Sequence, residues 1–194
     1  MTSIGWYEAN AEDFFARSIG VALLPQMAAF TALLPLGGRV LDAGCGSGRD
    51  AKALKEMGFQ VTATEASAKL AALAATHSGV DVGVMTFDQM MWREAFDGIW
   101  ACASLLHVPR NALPATLRRL RAALAPGGVW FMSFKYGRQE REANGRRFTD
   151  LDEGTAARLL DETGGLELIS IEVSGDVRPG RDQERWLSIL CRRS

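Results

Sequence analysis

At 194 residues the chain is long enough for one domain with a substantial core and short for two. It is 47% hydrophobic and 23% charged, and 22 basic residues against 23 acidic ones leave a formal charge of -1, so no global attraction draws it to nucleic acid or to an anionic membrane. Three cysteines, Cys45, Cys102 and Cys191, stand far apart without metal-ligand spacing, which points to a reduced, cytoplasmic setting and no metal site.

The opening MTSIGWYEANAEDFF carries acids early and no basic flank before an apolar run, so no signal peptide is expected and the segment should remain in the mature protein. Residues 8–34 read as helical with an interruption near Pro25. The stretch between Arg17 and Arg39 is uncharged, but Pro25, Gln26, Pro35 and Gly37-Gly38 break it, so a buried helix over 26–34 is expected and no membrane anchor.

From residue 39 onward apolar and amphipathic segments alternate. Strands are predicted over 39–43, 60–64, 81–86, 98–101, 128–134, 166–172 and 186–192, and helices over 49–57, 66–76, 113–124 and 152–163. Strand then helix, repeated, implies an α/β domain with a mostly parallel sheet covered on both faces. Met57-Gly58, Ala125-Pro126-Gly127-Gly128 and Thr163-Gly164-Gly165 are read as helix stops. The polar stretches 137–147 and 173–184 are expected to be exposed loops at the rim of the sheet.

The most informative stretch is VLDAGCGSGRD, residues 40–50: a strand ends in Asp42 and turns through Gly44, Gly46 and Gly48 into a helix. Glycines there permit positive φ and let a ligand lie on bare backbone. No Gly-Lys-Ser/Thr follows and no lysine lies in the loop, which argues against a nucleoside triphosphate. A dinucleotide would set its pyrophosphate against the Asp42 carboxylate, which is unfavourable. Asp42 asks for a ligand with positive charge or donor groups, and S-adenosylmethionine offers an ammonium, a sulfonium and ribose hydroxyls without phosphate. A second acid, Glu65, ends the next predicted strand in VTATEAS, where it can accept both ribose hydroxyl hydrogens.

Residues 40–49, then Glu65, then FDGIWACASLLHVPR (96–110), then LAPGGVWFMSF (124–134) resemble the ordered motifs of class I S-adenosylmethionine-dependent methyltransferases. The N-terminal YEANAEDFFAR is similar to the lid helix of small bacterial members, and Gly-Cys-Gly-x-Gly-Arg to the tellurite-resistance methyltransferase group. The resemblance implies a single domain over 1–194 in the Rossmann-like methyltransferase fold, seven-stranded with the last strand antiparallel and 1–36 as a helical lid. It implies S-adenosyl-L-methionine along the backbone of Ala43, Gly44, Cys45, Gly46 and Gly48, with Asp42 near the ammonium and Arg49 facing the carboxylate or capping the loop. Glu65 would hold the ribose, Ala66 would flank the adenine, and Phe87 and Asp88 would meet its edge. Ala101 and Cys102 would approach the methionine end, and Tyr7 and Arg17 the cofactor carboxylate. Two departures stand out: the ribose acid is Glu where the family more often has Asp, and Thr86 stands where many members place an acid.

In methyl transfer the protein mainly binds, aligns and excludes water, and a base is needed only when the nucleophile arrives protonated. His107, just past the fourth strand, is the candidate base; a loop-ordering role weighs equally. His77 reads as a surface residue near a helix end. Lys135, Tyr136, the loop 178–185, Trp6 and Trp186 are further candidates for the acceptor site, with packing weighed ahead of that role. Ala101-Cys102-Ala103-Ser104 stands where nucleobase amino methyltransferases carry Asn-Pro-Pro-aromatic, which disfavours that chemistry. A small-molecule acceptor is therefore expected, for a monomer or homodimer. An RNA substrate such as a tRNA nucleoside, a nicotinamide-dependent oxidoreductase and a non-catalytic cofactor-binding domain are the alternatives.

Overall fold

A computed structural model of the chain describes residues 2–21, 24–178 and 180–194. The N-terminal region forms three short helices, α1 (Ser3–Ala9), α2 (Ala11–Ser18) and α3 (Leu24–Thr31). Thr2 caps α1 by accepting from the Gly5 amide at 3.1 Å, and Asn10 ends it by donating through its side-chain amide to the Trp6 carbonyl at 2.8 Å. The interruption expected near Pro25 falls just ahead of it: α2 ends at Ser18 and α3 starts at Leu24, so Pro25 is the second residue of α3, where a helix has no use for its missing N–H. Ala22 and Leu23, which fall inside the predicted helical region, lie outside the described residues.

Among the described residues nine strands follow: β1 (Arg39–Ala43), β2 (Gln60–Glu65), β3 (Val82–Val84), β4 (Phe96–Ala101), β5 (Leu124–Lys135), β6 (Glu140–Ala143), β7 (Arg146–Thr149), β8 (Leu166–Gly175) and β9 (Arg185–Arg193). Four helices alternate with them: α4 (Arg49–Glu56), α5 (Ala68–Ser78), α6 (Leu113–Ala123) and α7 (Glu153–Thr163). Seven strands form one sheet in the order β3-β2-β1-β4-β5-β9-β8, and β9 runs antiparallel to both its neighbours. This is the Rossmann-like methyltransferase architecture that the resemblance implies. The order reverses between β1 and β4, so the loops leaving their carboxyl ends flank the crevice where α/β sheets bind ligands.

Alternation along the central strands divides the core between the two faces. Leu41, Ile99, Trp130 and Met132 point to the side covered by α6 and α7, with Leu117, Leu120, Leu159 and Leu160. Their neighbours Val40, Trp100, Val129 and Phe131 point to the other side, with Phe30 from α3 and Leu54 from α4. Trp100 stacks on Phe131 at 4.0 Å between ring centroids.

Two expectations change. Residues 137–147 do not form a simple loop: β6 and β7 make an antiparallel hairpin whose turn is Asn144-Gly145, at φ 51° and 75°. Two consecutive positive φ angles match the right-handed twist of the flanking strands, which is why Asn-Gly suits a two-residue hairpin turn. The high charge of GRQEREANGRR hid that signal. Secondly, Ala125-Pro126-Gly127-Gly128 lies within β5, whose first residue Leu124 already pairs with Phe96, so the helix stop is also the strand's irregular start. β8 runs on to Gly175 and shortens the second expected loop accordingly.

Candidate active site

The glycine loop is held from below by β2. The Gly44 and Cys45 amides both donate to the Thr64 carbonyl, at 3.0 and 2.8 Å, and the Gly48 amide donates to the Cys45 carbonyl at 3.0 Å. Gly44, Gly46 and Gly48 all adopt positive φ, at 78°, 57° and 74°. A Cβ on Gly44 would lie 2.6 Å from the Ser104 Cβ, and one on Gly46 would meet the Phe14 ring at 3.3 Å. Bare backbone is therefore a steric requirement of the loops and helix that close over it.

The side chains around this loop form a compact acidic site. Asp42 is buried, and its Oδ2 has no hydrogen-bond partner. Burial, followed by repulsion from Asp50, pushes its carboxyl well above the usual range. An orphaned carboxylate oxygen at the root of a glycine loop fits a ligand that brings a cationic donor. Arg49 donates from Nε and Nη2 to the two oxygens of Asp50, at 2.7 and 2.8 Å, while Trp100 Nε1 donates to Asp50 Oδ2 at 2.9 Å. Burial works against the Arg49 charge, but hydrogen bonding and attraction from Asp50 hold its pKa above the ordinary value. Arg49 Nη2 also lies 3.9 Å from the Cys102 Sγ, so the arginine joins the ends of β1 and β4.

Glu65 is buried at the tip of β2, and burial raises its pKa. Its Oε2 accepts from the Gly46 amide at 3.1 Å and its Oε1 from the Ser67 amide at 3.0 Å. One amide per oxygen fixes the carboxylate and leaves each oxygen able to accept again, as a pair of ribose hydroxyls requires. Ala66 lies between these contacts. Phe87 opens a 3-10 turn, and its ring lies 3.5 Å from where a Gly44 Cβ would stand. Asp88 is exposed beside it and is held below its ordinary pKa by the Thr86 hydroxyl. Ala101 is buried at the end of β4, and burial pushes the Cys102 thiol up to about 12.

The N-terminal helices close the site from above. Glu8 of α1 accepts from the Ser67 hydroxyl at 2.7 Å and the Lys69 amide at 3.1 Å, so α1 is tied to the start of α5 next to Glu65. Phe14 of α2 lies over Gly46 and packs edge-on against Tyr7 at 4.9 Å. The Tyr7 hydroxyl is 2.9 Å from His107 Nε2, and so meets the expected base. Arg17 is not brought to the site: it is exposed, and its Nε donates to the Asp13 carbonyl of its own helix at 3.0 Å. His77 packs edge-on against Phe15 at 5.6 Å.

His107 Nδ1 lies 2.6 Å from the Arg147 carbonyl, which can only accept, so Nδ1 carries the hydrogen and Nε2 accepts from Tyr7. Burial lowers the His107 pKa to about 4, although the bond to the Arg147 carbonyl works the other way. The groups facing it are Tyr7 from α1 and Arg146 and Phe148 from β7. An unfolded chain would protonate this histidine near its ordinary value and the folded one only below about 4. His107 should therefore contribute stability that is present above the ordinary histidine pKa and is lost as pH falls through this window. Raised carboxyls such as Glu65 act in the opposite direction, so the wild type should lose more stability than His107→Gln over this window, as read by urea denaturation. Equal slopes would mean that His107 is not buried as a neutral base.

Arg146 and Phe148 are not among the sequence-predicted residues; the hairpin brings the first to α1 and the second to His107. The Arg146 guanidinium lies over Trp6 at 4.1 Å and beside Phe148 at 5.2 Å, and its Nη1 is 3.5 Å from the Tyr7 hydroxyl. The Asn144-Gly145 turn was the signal that would have placed them. Lys135, by contrast, is occupied by Asp176 and Glu184 and lies over Trp186, and the Tyr136 hydroxyl donates to Glu153.

The fold and loop define a methyltransferase domain, and residues 40–128 match the model of a family described in those words. The matched segment takes in a little under half of the chain, and the fold is that of the class I S-adenosylmethionine-dependent methyltransferases. It is similar, at 32% identity over 135 residues, to the ubiquinone biosynthesis O-methyltransferase of Xanthomonas campestris pv. campestris strain B100. That alignment takes in 66% of this chain and 55% of the relative, so the chain spans about half the length of the curated relatives it matches. Among solved structures, the 1,6-didemethyltoxoflavin-N1-methyltransferase of Burkholderia thailandensis, with 1,6-didemethyltoxoflavin and S-adenosylhomocysteine bound, superposes with a TM-score of 0.79 at 22% identity, over 98% of this chain and 87% of that one. A TehB-like S-adenosylmethionine-dependent methyltransferase from Corynebacterium glutamicum superposes at 0.73 and 20% identity, over 96% and 99%. These structural likenesses establish the fold.

Proposed function

We propose that this protein transfers a methyl group from S-adenosylmethionine to a small-molecule acceptor. The observation that carries the reading is the buried, unpartnered Oδ2 of Asp42 at the root of the glycine loop, with Glu65 fixed across that loop by the Gly46 amide. Asp42 would meet the ammonium, Glu65 the ribose hydroxyls, and Phe87 the adenine; Arg49 and Cys102 border the methionine end. When bound, the cofactor supplies an electrophilic methyl group; the chain's own residues align the partners and exclude water. Titration with S-adenosylmethionine by calorimetry tests this, and absence of binding at millimolar ligand would end it.

A small acceptor is supported by what has become of the basic hairpin. Arg138 pairs with Asp152, Arg141 with Asp150, and Arg147 with Glu140 and Glu142. With three of the four arginines of 137–147 paired and Arg146 half-buried against Trp6, the stretch offers little to a phosphate backbone, so RNA loses its main support. A nicotinamide cofactor would set its pyrophosphate against Asp42. The relatives' names support a small-molecule acceptor: one is a ubiquinone biosynthesis O-methyltransferase, the other a 1,6-didemethyltoxoflavin-N1-methyltransferase.

The chain is read as one domain in which α1 and α2 are the moving lid, since α3 contributes Phe30 to the core beneath the sheet. Among the described residues no helix is long and apolar enough to cross a membrane. We infer a cytoplasmic protein, working as a monomer or homodimer. Removing the lid's tie to α5 with Glu8→Ala should weaken S-adenosylmethionine binding by about threefold to tenfold and speed amide exchange in α1, because the carboxylate holds an N-cap hydroxyl and a first-turn amide. Unchanged exchange would show that Glu8 does not hold the lid.

A further inference from the structure

The lid and the hairpin meet in a cluster that cofactor binding does not explain. Tyr7 donates to His107 Nε2, and His107 Nδ1 donates to the Arg147 carbonyl. Arg146 lies against the same tyrosine oxygen, its Nη1 at 3.5 Å. Its Nε is buried without a partner, and among the described residues it makes no ion pair, although the adjacent Arg147 makes two. An arginine walled by Trp6 and Phe148 and left without a carboxylate lacks an anion. Its neighbours offer flat aromatic faces.

Resting on the methyltransferase reading, we propose that Tyr7, His107 and Arg146 form the acceptor subsite, and that the acceptor is a planar conjugated molecule whose nucleophile is an acidic O–H or N–H. The acceptor's X–H bond breaks with its electron pair left on X. The proton moves to Tyr7 Oη as Tyr7's own proton moves to His107 Nε2, and Arg146 holds the anion. The donor-acceptor order already present, Tyr7 O–H to Nε2, runs in the direction this transfer needs. Burial keeps His107 neutral and a weak base, with a pKa of about 4. Arg146 favours an acceptor that becomes an anion, so phenols, enols and ring N–H acids fit this subsite better than aliphatic alcohols. The other charges near Tyr7 are Glu65 and Arg178, and Arg178 is held by Asp176.

The full chain saturated with S-adenosylhomocysteine provides the test, with 4-nitrophenol as the acidic probe and 4-nitroanisole as its non-ionisable counterpart. The nitrophenol should bind as the coloured anion at a pH where the free probe is neutral, and at least about tenfold more tightly than nitroanisole. Arg146→Met should abolish that preference and Arg146→Lys should restore part of it. Calorimetry near pH 6 in buffers of different protonation enthalpy then locates the proton. The wild type should release almost none, because the anion bound beside Tyr7 raises the His107 pKa and the imidazolium keeps the proton, while His107→Gln, which can still accept the Tyr7 hydroxyl, should release about one per probe bound. Equal binding of the two probes, binding of neither, a preference unaffected by Arg146→Met, or equal proton release by wild type and His107→Gln would overturn the proposal. Failure of S-adenosylhomocysteine itself to bind would instead remove the methyltransferase reading.

Discussion

Glu65→Ala is expected to weaken S-adenosylmethionine binding by about 1.5–3 kcal/mol, roughly 10- to 150-fold, measured by calorimetry. The magnitude follows from what the carboxylate does. It accepts from the Gly46 and Ser67 amides and has one further accepting site on each oxygen for ribose. Truncation removes the ribose contacts and leaves two amides of the loop without a partner. Glu65→Gln retains an accepting oxygen and should lose less. Thermal unfolding of the ligand-free variants separates a loosened loop from a lost contact, and an unchanged affinity in Glu65→Ala would refute the ribose assignment.

The larger effect on folding should come from Gly48→Ala, at about 2–5 kcal/mol in urea denaturation. Gly48 begins α4 at φ 74°, and a Cβ there would stand 2.8 Å from the Ala74 carbonyl oxygen and 3.1 Å from the Ala74 Cα. These are backbone atoms of α5, so relief requires two helices to part. Gly127→Ala is the matched control, with the same φ of 74° and nothing within 4 Å of the added carbon. It should show the conformational cost alone, about 1–2 kcal/mol. Similar losses in the two variants would mean that close approach to α5 is not why Gly48 is glycine.

Much of the site was legible because its residues are close in sequence. Asp42, the glycines and Arg49 share one strand-turn-helix, and Glu65 follows after a single crossover, so local periodicity and turn chemistry place them without knowledge of the rest. The strand over 39–43 and the helix stop at Gly58 likewise depend only on neighbours. What failed, or was left undecided, depends on contacts distant in the chain. The interruption near Pro25 is legible, but that Pro25 sits in the first turn of α3, whose Phe30 packs against Trp100 of β4, is not. The charged stretch 137–147 reads as loop, yet it pairs with itself and seats Arg146 on Trp6, 140 positions earlier.

The sequence by itself determined the α/β class, the glycine loop and the two acids that select a phosphate-free nucleoside, because hydrophobic period and backbone freedom are properties of short segments. Only the tertiary structure decided which partners the polar side chains take. Tyr7, expected at the cofactor carboxylate, donates to His107; Arg49 turns to Asp50; and Asp42 retains an oxygen without a partner. Hydrogen bonds of this kind join residues brought together by β4, the lid and the hairpin, and no local pattern encodes a contact between positions 7 and 107.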